Sequence, residues 1–266
     1  MSKRTDRTNQ ITTGTDLLRV LHLTDPHLFA DPDGSLRGTV TFASLSAVLA
    51  HYRASDWQAD IVTVTGDLIQ DDSAAAYDRF CDLLSGLDLP VYCIPGNHDI
   101  RDLMRTALDA PPFHYCASHE ANDWLIVGID SCVSEQAGGS VSNDELARLD
   151  DEIAASDAAN VMVCLHHPPV AMGSKWLDTV GLDNGDEVLA RLAKSGKVRL
   201  AIFGHVHQTY DEEHDGIRII ATPSTCSQFA QHSDEFAIDD QPPAYRRIEL
   251  HANGRFENEL IWVADA

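Results

Sequence analysis

The sequence predicts a single α/β domain. Three observations carry this expectation. Apolar, strand-like runs alternate with helical stretches through the first two-thirds of the chain; five of those runs stop at a small cluster of Asp, His or Asn; and the pattern turns strand-rich after Gly204. Strands buried on both faces of a parallel sheet read as nearly continuous apolar runs, and functional groups in open α/β sheets gather just past the carboxyl ends of the strands.

The elements follow in order. Met1–Asp16 is polar and lacks an apolar core, so 1–16 is expected to be a flexible tail and not a secretory signal, with 17–266 as the one domain. The first strand, Leu18–Leu23, stops at Asp25-Pro26-His27. After the Asp-, Pro- and Gly-rich loop Ala30–Gly38, Phe42, Leu45, Val48 and Leu49 recur at helical spacing within Val40–Arg53. The second strand, Ile61–Thr65, leads through Gly66-Asp67 to a helix at Ser73–Ser85 with Ser73 as its N-cap. The third, Val91–Ile94, ends at Gly96-Asn97-His98-Asp99 before a short helix at Arg101–Leu108.

A strand at Trp124–Asp130 precedes a helix at Ser142–Ser156, where Ser142 and Glu145 have capping-box spacing. Val161–Leu165 delivers His166-His167. A helix at Asp186–Lys194 precedes Leu200–Phe203 and Gly204-His205-Val206-His207. The remaining strands are Ile217–Ala221, Tyr245–Leu250 and Phe256–Val263, the last two joined by the turn signal Asn253-Gly254. The ligand-bearing strand ends are expected along one sheet edge, and the late strands are expected to form or extend a second sheet.

Composition narrows the function. With Lys+Arg 19 against Asp+Glu 42, the net charge of −23 repels a phosphate backbone and argues against DNA or long RNA as partner. A small phosphate ester stays admissible if bound cations reverse the sign locally. No apolar run approaches the roughly 20 residues a membrane span needs, so no membrane partner is expected. The six cysteines show no paired C-x-x-C spacing and read as reduced thiols of a cytoplasmic protein.

The five clusters together offer Asp25, His27, Asp67, Asn97, His166, His205 and His207. Taken singly, each has a bland reading: Gly66-Asp67 and Gly96-Asn97 are turn-like, and a lone His at a strand end is ordinarily a hydrogen-bonded surface residue. Taken as an ordered set they read as a metal site. Cys is absent, which disfavours a structural thiolate zinc centre, and mixed carboxylate, imidazole and amide donors suit Mn, Fe or Zn. Seven ligands exceed the needs of one ion with open positions but suffice for two if a carboxylate bridges. Two such ions hold a hydroxide between them for in-line attack on phosphorus, and His98 is placed to act as general acid on the departing oxygen.

Asp25-x-His27, Gly66-Asp67-x-x-x-Asp71, Gly96-Asn97-His98-Asp99, His166 and Gly204-His205-x-His207 resemble the motif series of the calcineurin-like metallophosphoesterases. Within that superfamily, His22–Ala30, Gly66–Asp71, Trp176-Leu177-Asp178, Ala221–Phe229 and Glu249–Gly254 are similar to the bacterial class III 3′,5′-cyclic-AMP phosphodiesterases. The resemblance implies a two-sheet mixed β-sandwich flanked by helices, a four-layer αββα fold. It implies that Asp25, His27 and His207 hold one metal, that Asn97, His166 and His205 hold the other, and that Asp67 bridges. His167 is the alternative to His166. It further implies that His27, Asp67, Asn97, His98 and His207 contact the nucleotide phosphate, that the ions are iron or manganese with zinc admissible, and that a homodimer is an option.

The expected activity is hydrolysis of 3′,5′-cyclic AMP to 5′-AMP. The same metal site serves a second reading, a glycerophosphodiester or broad-specificity phosphodiesterase, because specificity lies in the surrounding loops. A third reading, an idle metal-binding module, would require lost ligands, and all seven are present. His22 is expected in the core or behind the ligands, and Asp71 and Asp99 either orient ligands or cap turns. His114, His119, His214, His232 and His251 are read as surface or loop residues. Thr222–Phe229 is expected to line the nucleotide pocket.

Overall fold

The computed structural model describes residues 17–264; the expected tail lies outside the described residues. Twelve strands of more than two residues form two six-stranded sheets. In the first half of the chain these are β1 (Leu17–Leu23), β2 (Ile61–Thr65), β3 (Val91–Ile94), β4 (Phe113–Tyr115), β5 (Ser118–Ala121) and β6 (Trp124–Gly128). In the second half they are β7 (Asn160–Cys164), β8 (Val198–Phe203), β9 (Tyr210–His214), β10 (Ile217–Ala221), β11 (Ala244–His251) and β12 (Phe256–Trp262). The first sheet has the order β12-β11-β1-β2-β3-β4 and the second β9-β10-β8-β7-β6-β5. Each sheet contains four parallel strands; in the first an antiparallel hairpin, β11 and β12, adds to one side, and in the second one antiparallel strand adds to each side.

The period of two along the strands builds the layers. On β1, Leu18 and Val20 join Ile61, Trp124, Met162, Ile202 and Ile248 in a core between the sheets. Leu21 and Leu23 point the other way, into a core with α1 (Thr41–Ala54), α2 (Ala74–Ser85) and α3 (Arg101–Ala107). Val163, Ala201 and Phe203 pack outward under α4 (Asn143–Ala155), α5 (Lys175–Asp178) and α6 (Gly185–Ser195). The result is the four-layer αββα sandwich. Because both faces of the central strands are covered, those strands read as unbroken apolar runs.

The structure corrects several expectations. The five ligand-bearing strand ends do not share one sheet edge: β1, β2 and β3 belong to the first sheet, β7 and β8 to the second. The last two strands do not build the second sheet but return to β1 and extend the first. Three strands were not legible. Ser118–Ala121 and Tyr210–His214 are polar edge strands, and charged edges that resist pairing carry no apolar signal. Phe113–Tyr115 is a three-residue edge. The capping box at α4 is half-formed: Ser142 Oγ accepts from Glu145 N at 3.2 Å, but the Glu145 carboxylate turns away to accept from Asp130 N at 2.8 Å. Ser73 caps α2 as expected, accepting from Ala75 N at 3.1 Å.

Candidate metal centre

The loops after β1 and β2 stay zipped beyond the strands. Asp25 N donates to Gly66 O at 3.1 Å, His27 N to Asp67 O at 2.9 Å and Leu28 N to Leu68 O at 2.9 Å. Asp25, His27, Asp67, His205 and His207 each take a left-handed backbone conformation, with φ of 52°, 47°, 51°, 67° and 49°. Non-glycine residues adopt that region at a cost, and such strain clusters at functional sites. Here it turns five side chains, at the ends of three strands, toward one another. The crossing is too close for a side chain at two glycines. A Cβ on Gly96 would lie 2.1 Å from Asp67 Oδ1, and one on Gly204 would lie 2.7 Å from Asp25 Oδ2.

All seven candidate ligands converge, in two groups that meet at Asp67. In the first, His27 Nε2 lies 3.1 Å from His207 Nε2 and 3.6 Å from Asp67 Oδ2, and His207 Nε2 lies 3.6 Å from Asp25 Oδ1. In the second, Asn97 Oδ1 is 3.1 Å from His166 Nε2 and 2.9 Å from His205 Nδ1, while His166 Nε2 is 3.5 Å from Asp67 Oδ1. Asp67 thus turns one oxygen to each group. Of the seven, six are buried, and Asn97 is half-buried.

The tautomers say what the gaps are for. His27 Nδ1–H donates to Gln70 Oε1 at 2.9 Å, His166 Nδ1–H to Thr65 O at 2.7 Å and His207 Nδ1–H to Ser227 O at 2.5 Å. A neutral imidazole that donates at Nδ1 presents a lone pair at Nε2. Two lone pairs therefore face each other between His27 and His207, and another faces the Asn97 carbonyl oxygen. Such acceptor-to-acceptor contacts call for a cation between them. Burial depresses the pKa of His27 to about 4, and lowers those of His166, His205 and His207, so the rings are neutral donors to a metal. Burial acts to raise the Asp67 pKa, yet His166, His27, His98 and His205 prevail and hold it far below the usual carboxylate range. Burial, then Asp67, push Asp25 well up. The chemistry of the set fits divalent metal ions.

His166 faces Asn97 and Asp67 in this centre, and the neighbouring His167 ring lies 4.8 Å from that of His205. Both nitrogens of His167 are engaged elsewhere, Nδ1 with Ser131 Oγ at 2.8 Å and Nε2 with Ala137 O at 3.2 Å. His98 donates its backbone N–H to Asp67 Oδ1 at 2.9 Å, and its ring meets that of His27 edge-on at 5.0 Å with no hydrogen-bond partner among the described residues. Asp99 ties the second and third loops together, accepting from Gly96 N, Leu68 N and Tyr77 Oη. Asp71 accepts from Ala30 N at 2.7 Å and pins the first loop.

The centre opens into a cavity of about 250 Å³ whose far wall carries Arg37, Trp176 and Phe229. Phe229 stacks on His207 at 4.2 Å, which places the end of the 222–229 segment at the pocket as expected. The Arg37 guanidinium lies 4.8 Å from the Phe229 ring centre and 4.5 Å from that of Phe236. Sequence reasoning missed Arg37 and Gln70. The first is a lone Arg in an acidic loop; the second lies inside a quoted motif but has no donor type that marks it as more than a turn residue.

Neutral buried imidazoles make the metal-free protein acid-labile. His22, His27 and His167 are held at about 3, 4 and 3, against 6.5 in the unfolded chain. Below 6.5 the unfolded state binds protons that the folded state refuses, so stability falls as pH drops toward the folded values. Asp25 and Asp99, both raised by burial and Asp67, act in the opposite direction but are outnumbered. The expected loss is about 1.4 kcal/mol per pH unit for each imidazole in excess. Urea midpoints of metal-free protein should fall between pH 6.5 and 5, and a flat profile would contradict the neutral assignment.

Fold and site together define a metal-dependent phosphoesterase. The profile of the calcineurin-like phosphoesterase family matches residues 18–209, and the chain belongs to that family. Its relatives include the 3′,5′-cyclic adenosine monophosphate phosphodiesterase CpdA of Vibrio vulnificus, 36% identical over 97% of this chain and 94% of that protein. The CpdA of Escherichia coli is 37% identical over 93% of this chain and 90% of that protein. Among solved structures, a dimetal phosphatase from Danio rerio superposes with a TM-score of 0.62 at 17% identity, covering 93% of this chain and 99% of that one. No helix among the described residues is long and apolar enough to cross a membrane.

Proposed function

We propose that this chain, as one domain over 17–266, hydrolyses 3′,5′-cyclic AMP to 5′-AMP in the cytoplasm. The observation that carries the reading is the likeness over nearly the whole chain to two proteins named for that activity. Asp25, His27, His207 and Asp67 would hold one ion, and Asp67, Asn97, His166 and His205 the other, iron or manganese being favoured and zinc admissible. When bound, the pair supplies Lewis-acid charge to the phosphoryl group and to attacking water. The partner is a small cyclic nucleotide; a surface of net charge −23 repels long nucleic acid.

The chain's own residues would do the rest. His27, Asp67, Asn97 and His207 surround the phosphate position at the floor of the cavity. The His98 ring, unpaired beside that floor, would give its proton to the 3′ oxygen as the bond from phosphorus to that oxygen breaks and the oxygen of water takes its place. Trp176 and Phe229 offer the base an aromatic wall, and Arg37 a cation above it.

The wall grips substrate and transition state alike, so its loss belongs in KM. Arg37→Ala should raise KM for cyclic AMP about tenfold, a loss of roughly 1.4 kcal/mol, with kcat changed less than about twofold. An unchanged KM would remove Arg37 from the substrate site.

The activity itself is tested by rates of metal-reconstituted protein on cyclic AMP, cyclic GMP, 2′,3′-cyclic nucleotides and glycerophosphodiesters. Release of 5′-AMP as the preferred reaction is expected. Inactivity on every cyclic nucleotide, with good turnover of a glycerophosphodiester, would transfer the assignment to that substrate.

A further inference from the structure

The layer between the sheets is apolar at its centre, but a line of polar side chains crosses it and ends on Asp25. Arg246 on β11 donates from Nε to Thr222 Oγ1 at 3.1 Å. Thr222 Oγ1 lies 2.9 Å from His22 Nδ1, and His22 Nε2 lies 2.8 Å from Thr65 Oγ1. Thr65 Oγ1 donates to Thr24 Oγ1 at 2.8 Å, and Thr24 Oγ1 to Asp25 Oδ2 at 2.6 Å. His22, Thr24, Asp25, Thr65 and Thr222 are fully buried, and Arg246 is 4% exposed.

The direction of this line is fixed at both ends. A guanidinium only donates, the Asp25 carboxylate, ionised when it holds a cation, only accepts, and each hydroxyl has one proton to hand on. His22 therefore accepts at Nδ1 and donates at Nε2. Burial, then the charge of Arg246, push its pKa down to about 3, so no second proton interrupts the sequence. With a cation at one end and an anion at the other, each link polarises the next. Space is reserved for the last link: a Cβ on Gly204 would fall 2.0 Å from Thr24 Oγ1. Arg246 also donates to Ala221 O at 2.9 Å and to Asn258 Oδ1, and the Asp211 carboxylate supports its charge from outside the line.

We propose that His22, with Thr222 and Arg246 behind it, is a positioning residue that holds Asp25 Oδ2 through Thr65 and Thr24 and so turns Oδ1, which also accepts from His205 N at 3.1 Å, toward His207 and the cation there. The inference rests on the reading of Asp25 as a metal ligand. Groups that orient ligands from behind are ordinarily worth ten- to a hundredfold in metal affinity. Thr222→Val cuts the line in the middle with little change of shape and touches neither ligand group.

Calorimetric titration of metal-free protein with Mn²⁺ tests it. Thr222→Val should weaken one of two binding events by roughly tenfold and spare the other, and Thr222→Ser, which keeps the hydroxyl, should restore it. A packing role alone would lower the melting temperature and leave both affinities at wild type, and that result would overturn the proposal. ¹⁵N NMR of the wild-type protein loaded with diamagnetic Zn²⁺ at pH 7.5 gives an answer independent of any variant's folding. His22 should be the neutral Nε2–H tautomer, and an Nδ1–H tautomer would overturn the proposal. Normal Mn²⁺ binding without cyclic-nucleotide turnover would sink the substrate assignment alone, whereas a wild-type protein that takes up no Mn²⁺ would sink both.

Discussion

His98→Ala lowers turnover of cyclic AMP by about two to four orders of magnitude, the usual worth of a positioned general acid, while metal content stays at wild type. The asymmetry follows from how His98 is held. Its backbone N–H, not its ring, bonds Asp67 Oδ1, so truncation leaves that contact in place. The ring has no hydrogen-bond partner among the described residues; it meets the edge of His27, with a ring nitrogen within 4.8 Å of ligand atoms of His27 and Asp67. What the ring has to offer is a proton at the cavity floor. The defect should shrink on a diester with a p-nitrophenolate leaving group, which departs without protonation. Equal losses on both substrates, or full activity on cyclic AMP, would remove His98 from the acid role.

Asp67→Asn carries the other large effect. The amide keeps the shape of the carboxylate and can still accept from His98 N, yet it withdraws the one charge that both ligand groups share. Asp67 Oδ2 faces His27 Nε2 at 3.6 Å and Oδ1 faces His166 Nε2 at 3.5 Å, so neither group is spared. Metal content should fall from two ions per chain to less than one. Activity should fall by at least about four orders of magnitude, since the stabilisation that two cations give a phosphoryl transition state is lost together. Elemental analysis with an activity assay checks this, and circular dichroism controls for folding. Two ions retained in the variant would show that Asp67 does not bridge.

The strands that build the core were legible because burial on both faces writes itself as short runs dominated by Val and Ile, with few charges. Ile61–Thr65, Val91–Ile94 and Ile217–Ala221 appear with the expected bounds. Edge strands escaped for the opposite reason: Tyr210–His214 consists of residues that discourage pairing, and only its neighbour β10 makes it a strand. The assignment of ligand-bearing loops to two sheets was hidden because strand order is a property of pairing and not of local sequence.

At the centre, donor types and order were visible, but distances and tautomers were not. Thr65 O and Ser227 O, which turn His166 and His207 inward, are backbone atoms without a sequence signature. The strain at Asp25, His27, Asp67, His205 and His207 is not readable from sequence: Asp and His enter the left-handed region more often than most residues, but far too seldom for the residue type to mark a given position. The glycines of the motifs did carry a signal. Gly96 and Gly204 stand where a methyl group would displace a carboxylate.

The decisive measurement is an anomalous difference map from a crystal of metal-loaded protein. Two peaks roughly 3.5–4 Å apart are predicted, one among Asp25, His27 and His207, the other among Asn97, His166 and His205, with Asp67 between them. A single peak, or peaks away from these side chains, would contradict the account.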